Sequence, residues 1–147
     1  YQPAVAENGR VALEMMHREP YDLVLLDIEM PEMDGFDVLE AMTADAQLRD
    51  LPVLVTSSVE GTDSVARSIT LGAVDYLTKP VNPVLLKARI AATLEKKRLR
   101  DDLKAMVRRF ATSQVAQDVT PCPQRRFSDS IPSFRGPAPV AMMTALA

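Results

Sequence analysis

Leu23-Val24-Leu25-Leu26-Asp27-Ile28-Glu29-Met30-Pro31-Glu32-Met33-Asp34-Gly35 is an unbroken apolar run that ends on one carboxylate and gives way to an acidic loop punctuated by Pro and Gly. A continuous apolar run without alternation is the signature of a strand buried on both faces, as in a parallel sheet covered by helices. Asp27 then stands at the carboxyl end of that strand, the edge where open α/β sheets collect ligands and chemistry. Pro31 and Gly35 shape the loop, Pro by fixing φ and Gly by permitting conformations and close approaches that other residues resist.

Two later runs deliver partners to the same edge. Thr56 follows Val53-Leu54-Val55, and Lys79 follows Tyr76-Leu77-Thr78 and precedes Pro80. A carboxylate, a hydroxyl and an ammonium brought together by successive strands would make a small anion site with a nucleophile in its floor. Between these runs lie helical patterns. Val11, Leu13, Met15 and Met16 precede Pro20, Phe36, Val38, Leu39 and Met42 form a second stripe, and residues 64–71 form a third that stops at Gly72. With residues 3–6 as a short strand before the Glu7-Asn8-Gly9 turn and residues 73–78 as the last strand, the alternation predicts a doubly wound parallel α/β layer.

The LLDIEMPEMDG, VLVTSS and GAVDYLTKP segments, in this order, resemble the receiver domain of bacterial two-component response regulators over residues 1–94. The resemblance implies a flavodoxin-like fold with strand order 2-1-3-4-5, Asp27 as phosphoacceptor, Thr56, Lys79 and Tyr76 as phosphoryl-binding and switch residues, and a cis bond between Lys79 and Pro80. It also implies Mg²⁺, held by Asp27, the backbone carbonyl of Glu29 and a pair of adjacent acidic residues. That pair, with the strand and helix that carry it, has no counterpart ahead of residues 3–6. The missing strand belongs between residues 3–6 and residues 23–26, and its absence leaves two rows of unpaired backbone groups that invite aggregation or a re-paired sheet. Residues 1–94 are therefore expected to form a truncated, marginally stable receiver with weak or absent Mg²⁺ binding.

Composition fits a cytoplasmic domain with one core: 47% of the 147 residues are apolar and 25% charged. No apolar run approaches the roughly 20 residues of a spanning helix, and no leader opens the chain. Cys122 lacks a disulfide partner, and no Cys or His lies near it at metal-ligand spacing. His17, beside Arg18 and Glu19, reads as a surface residue. The net charge of −3 hides an acidic front, with five Lys/Arg against fifteen Asp/Glu in residues 1–82, and a basic stretch, nine against three, in residues 83–110. Lys96, Lys97, Arg98 and Arg100 alternate with Glu95, Asp101 and Asp102 without interleaved aromatics, which points to a solvated helix face rather than a nucleic-acid site.

From Pro83 onward a helix is predicted, with Leu85, Leu86, Ile90 and Leu94 toward the sheet. Leu99, Leu103, Met106 and Phe110 continue at coiled-coil spacing, so residues 95–119 read as a signalling helix able to pair with a second copy over residues 95–110. Residues 108–116 weakly resemble the connector of receiver–nucleotidyl cyclase fusions. Residues 120–147, rich in Pro and small residues, read as disordered. The expected function is that of a non-enzymatic phosphoacceptor. It takes a phosphoryl group from a histidine kinase or phosphotransfer protein onto Asp27 and signals to an output domain or partner chain. The alternatives are the regulatory front of a receiver–cyclase or other effector enzyme, and a receiver-like scaffold that carries no phosphate.

Overall fold

A computed structural model describes residues 3–59, 61–115 and 140–143. Strand β1 (Pro3–Val5) leads to helix α1 (Gly9–Arg18), strand β2 (Val24–Asp27), helix α2 (Gly35–Ala44), strand β3 (Val53–Ser57), helix α3 (Thr62–Thr70), strand β4 (Asp75–Thr78), helix α4 (Pro83–Val115) and strand β5 (Val140–Met143). The helix boundaries follow local chemistry. The Asn8 side chain accepts a hydrogen bond from the Val11 N–H at 2.9 Å, and Asp34 does the same for Asp37. At the start of α4, Pro83 sits in the first turn and the Asn82 side chain accepts from the Val84 N–H at 2.9 Å. Helix α3 ends where Gly72 adopts φ +97°, a left-handed conformation that side chains with a Cβ resist.

The five strands form one parallel sheet in the order β1-β5-β2-β3-β4. Its two faces are covered, as the continuous apolar runs require. Val24 and Leu26 face a cluster with Met16, Val38, Leu39 and Met42 of α1 and α2, whereas Leu23, Leu25 and Leu54 pack against Ile90, Leu86 and Leu94 of α4. Alternate residues of one strand thus anchor opposite helix layers, the arrangement of a flavodoxin-like doubly wound fold.

The place between residues 3–6 and 23–26, where the resemblance expects a further strand, is occupied in the sheet. Strand β5 lies between β1 and β2, with Ala141 in register with both Ala4 and Val24. Residues 140–143 were read as part of a disordered tail, and the structure corrects this for those four residues. Short and preceded by Pro137 and Pro139, they carry a weak strand signal, and what orders them is a ladder of backbone partners on each side. The remaining tail, with Cys122, lies outside the described residues.

Helix α4 is continuous through residue 115, so the boundary placed between residues 94 and 95 falls inside a helix. Leu85 departs from expectation: it is 46% exposed, because Leu86, Ile90 and Leu94, four residues apart, form the stripe packed on the sheet and Leu85 lies to one side of it. Nor is the basic face wholly solvated. Lys97 pairs with Asp22 and Lys104 with Asp50, each at 2.8 Å, and the Arg100 guanidinium donates to the Asp50 carbonyl. These ties run the helix back along the sheet toward the strands' amino ends. Between and beyond them Leu99, Leu103, Met106 and Phe110 are 56–69% exposed.

Candidate functional site

The register of the parallel strands assembles the site. Asp27 is paired with Thr56, and Ser57 with Thr78, so the carboxyl ends of β2, β3 and β4 stop level with one another. The Ile28 N–H donates to the Thr56 carbonyl and the Lys79 N–H to the Ser57 carbonyl, which carries the pairing past the strand ends and fixes where Lys79 leaves the sheet. The Lys79–Pro80 bond is cis. Lys79 Nζ donates to Asp27 Oδ2 at 2.5 Å, while the Glu29 N–H donates to Asp27 Oδ1 at 3.1 Å. The Asp27 side chain is 2% exposed and that of Lys79 36%, so a buried carboxylate is paired with a partly exposed cation.

Thr56 is also buried, and its hydroxyl lies 3.5 Å from the Leu26 carbonyl, a long contact that leaves it weakly held. Ser57 is fully buried, its Oγ accepting from the Val59 N–H, so the floor beside Thr56 stays small. Tyr76 lies one strand away, and its hydroxyl donates to the Val59 carbonyl at 2.7 Å. It borders a groove of about 420 Å³ lined by Val65, Ile69, Leu85 and Arg89. Arg89 is tied to Asp75 at 2.7 Å.

The loop after Asp27 is closed by the Gly35 N–H, which donates to the Ile28 carbonyl at 3.0 Å. A Cβ on Gly35 would lie 2.5 Å from the Asp27 carbonyl oxygen and 2.7 Å from Ile28 Cα, so this contact admits only glycine. Pro31 accepts from the Met33 N–H, and Glu32 takes φ +66° with its carboxylate 3.2 Å from Asn8 Nδ2. The structure thus brings Asp27, Lys79 and Thr56 together, sets Pro31, Gly35 and Pro80 at the bends, and keeps Tyr76 on the adjoining face.

Sequence reading missed the Glu29 side chain, which accepts from the Ser58 N–H at 2.9 Å and binds the β2 loop to the β3 loop. Its hydrogen bonds from Ser58 hold the Glu29 carboxyl below the usual carboxylate range. A backbone donor leaves no residue signature, so nothing in the sequence pointed to it. His17, expected in solvent, bonds Asp45 Oδ2 through Nε2 at 2.6 Å and the Leu13 carbonyl through Nδ1 at 2.7 Å, far from this site.

The donors around Asp27 among the described residues do not by themselves make up a Mg²⁺ centre. Both Asp27 oxygens already accept hydrogen bonds, and among the described residues no three His, Cys, Asp or Glu side chains gather around a point. At the position where an acidic pair would stand, the neighbouring strand is Val140-Ala141-Met142-Met143, with Met143 opposite Leu26. Among the described residues no further carboxylate joins Asp27 in the set a divalent cation requires. Among the described residues no helix is long and apolar enough to cross a membrane.

Comparison with known proteins places these features in a family. The response regulator receiver domain family matches residues 1–91. A "Probable cyclic di-GMP phosphodiesterase" of Vibrio cholerae is 40% identical over 103 residues, covering 70% of this chain and 23% of that protein. The chemotaxis protein CheY of Pseudomonas aeruginosa is 34% identical over 93 residues, covering 63% of this chain and 75% of CheY. The crystal structure of the signal receiver domain of a signal transduction histidine kinase from Syntrophus aciditrophicus superposes with a TM-score of 0.60 at 32% identity, over 65% of this chain and 73% of that one. The chain therefore spans less than a quarter of the length of the first of these relatives. With its parallel sheet and the aspartate, threonine and lysine at one edge, this chain belongs to the response regulator receiver domain family.

Proposed function

We propose that Asp27 is the phosphoacceptor of this receiver and that Lys79, Thr56 and Tyr76 read its state. The observation that carries the reading is the convergence of a buried Asp27 carboxylate, the Lys79 ammonium in direct contact with it, and the loosely held Thr56 hydroxyl in register beside it. Asp27 would attack the phosphoryl group of a phosphohistidine on a histidine kinase or phosphotransfer protein, forming the P–O bond of an acyl phosphate as the P–N bond breaks and the donor imidazole leaves. An anion approaching an anion needs local positive charge, and Lys79 supplies it here. The Thr56 hydroxyl, released from its long contact with the Leu26 carbonyl, would donate to a phosphoryl oxygen.

Tyr76 is the link from site to surface. Its hydroxyl ties the β3–α3 loop through Val59 and its ring borders the groove with Val65, Ile69 and Leu85. A doubly charged group at Asp27 that draws Thr56 toward it would shift the packing of that loop, and with it the groove, which we take as the output face. A small phosphodonor should therefore shift the amide resonances of Thr56, Val59 and Tyr76 in the native chain and leave those of Asp27→Asn in place. Shifts of equal size in that variant would sink the assignment.

The apolar stripe Leu99, Leu103, Met106 and Phe110 is the second half of the output path, pairing with the same stripe of another copy in a short coiled coil. A receiver-like scaffold is a second reading, favoured by there being no group of three potential metal ligands among the described residues. The Vibrio cholerae relative's name and length support a third arrangement, in which this receiver is the regulatory front of an effector enzyme whose catalytic part lies outside the matched residues.

A further inference from the structure

Glu29 is bonded in two directions. Its N–H donates to Asp27 Oδ1 at 3.1 Å, and its carboxylate accepts from the Ser58 N–H at 2.9 Å. Val59, the next residue, donates its N–H to Ser57 Oγ at 3.0 Å and accepts the Tyr76 hydroxyl on its carbonyl at 2.7 Å. A chain of contacts thus runs from the carboxylate in the floor of the site, through Glu29 and the start of the β3–α3 loop, to the tyrosine on the adjoining face. It bypasses Thr56, and every residue in it lies inside the family-matched segment. We propose that the Glu29 side chain is a positioning residue that restrains residues 58 and 59, and Tyr76 through them, and that charge gained at Asp27 releases this restraint. The proposal rests on the reading of Asp27 as phosphoacceptor and gives that site a second route to Tyr76.

The surroundings of Glu29 supply the trigger. Hydrogen bonds from Ser58 and, after them, the charge of Lys79 hold the Glu29 carboxyl below the usual carboxylate range, so it stands as an anion at neutral pH. Lys79 is the same ammonium that pairs with Asp27. An acyl phosphate at Asp27 adds about one further negative charge, draws Lys79 to its own oxygens and competes for nearby N–H donors, that of Ser58 among them. Glu29 then loses attraction and gains repulsion, and both changes act against its bond to Ser58.

Exposure sets the strength of the restraint. Asp27 is buried, whereas Glu29, Ser58 and Val59 are exposed. Water screens the bond and takes over the groups it frees, so one added charge is enough to release it. The same tie in a dry interior would hold the loop whatever happened at Asp27.

The test compares the full chain with Glu29→Gln, which keeps an acceptor oxygen and removes the charge, and with Glu29→Ala, which removes both. Exchange rates and resonances of the Ser58, Val59 and Tyr76 amides are read before and after addition of acetyl phosphate in Mg²⁺ buffer. Before addition, Glu29→Ala should exchange the Ser58 amide at least threefold faster than the native chain, and Glu29→Gln should stay close to native. The Val59 and Tyr76 resonances of Glu29→Ala should also lie displaced in the direction that acetyl phosphate produces in the native chain. After addition, Ser58 exchange should quicken in the native chain and clearly less in Glu29→Gln, whose side chain feels no repulsion. An unchanged Ser58 rate in Glu29→Ala, or a response of Glu29→Gln equal to the native one, overturns the proposal. Where faster exchange in Glu29→Ala extends to residues 24–26 and 53–55, that variant is destabilised as a whole, and Glu29→Gln decides by the same criterion. A native chain that responds to acetyl phosphate no more than Asp27→Asn does overturns the phosphoacceptor reading and the trigger with it, while faster Ser58 exchange in Glu29→Ala would still support the restraint.

Discussion

Replacing Lys79 by Met removes the cation from a carboxylate that is 2% exposed and leaves the apolar stem in place. At 2.5 Å, with the effective dielectric of about 20 that suits protein sites, the gross attraction is about 7 kcal/mol, most of it offset by the cost of taking both ions from water. Removing one partner of a fully buried pair costs about 3–5 kcal/mol. Here the Lys79 side chain is 36% exposed and the Glu29 N–H still bonds Asp27 Oδ1, so water and that donor relieve part of the loss. The expected cost is about 2 kcal/mol, seen as a fall of about 1 M in the urea midpoint with the slope unchanged. Asp27→Asn in the same background removes the stranded charge, so the double variant should be more stable than Lys79→Met alone, with a coupling of about 1.5 kcal/mol in the cycle. Urea unfolding followed by circular dichroism on the four proteins measures it. A coupling below about 0.5 kcal/mol would refute the idea that these groups neutralise each other in the folded chain.

Other expectations follow from the same geometry. Gly35→Ala should lose about 1–3 kcal/mol and displace Asp27, because the new Cβ meets backbone atoms of Asp27 and Ile28 at 2.5 and 2.7 Å, whereas Gly61→Ala, with nothing within 4 Å, should stay within about 0.5 kcal/mol by the same unfolding assay. His17 has its pKa raised above 6.5 chiefly by the hydrogen bond to Asp45, so the stability it contributes is full below 6.5 and lost as pH rises through the folded value. The melting-temperature difference between the native chain and His17→Gln should therefore narrow as pH is raised, and a widening difference would contradict the pairing. Leu103→Asp with Phe110→Asp should abolish self-association in sedimentation velocity without lowering the melting temperature, since both side chains are more than 60% exposed.

The parts of the fold legible in the sequence were those whose signal is carried by residue type. Leu23 to Leu26 and Val53 to Val55 are buried on both faces, so their runs lack alternation, and Asp27, Thr56 and Lys79 stand at the ends of strands whose register brings them level. The side-chain caps at Asn8 and Asp34, which fix two helix starts, came from the structure and not from the sequence reading. What escaped was set by partners distant in sequence. Val140-Ala141-Met142-Met143 is too short and too close to Pro139 to declare a strand, and only β1 and β2 make it one. The clamp from Glu29 to Ser58 ends on a backbone N–H, which every non-proline residue possesses. Leu85 and Leu86 are indistinguishable by composition, and the packing of α4 on the sheet decides which is buried.

The most direct test of the phosphoacceptor assignment is intact-mass measurement of the full chain after incubation with a small-molecule phosphodonor, in chelator and again in Mg²⁺, beside Asp27→Asn. A phosphate-sized gain in the native chain that is absent from the variant is the predicted result. No gain in either buffer, or a gain that persists in Asp27→Asn, would contradict it and leave the receiver-like scaffold as the better description of this chain.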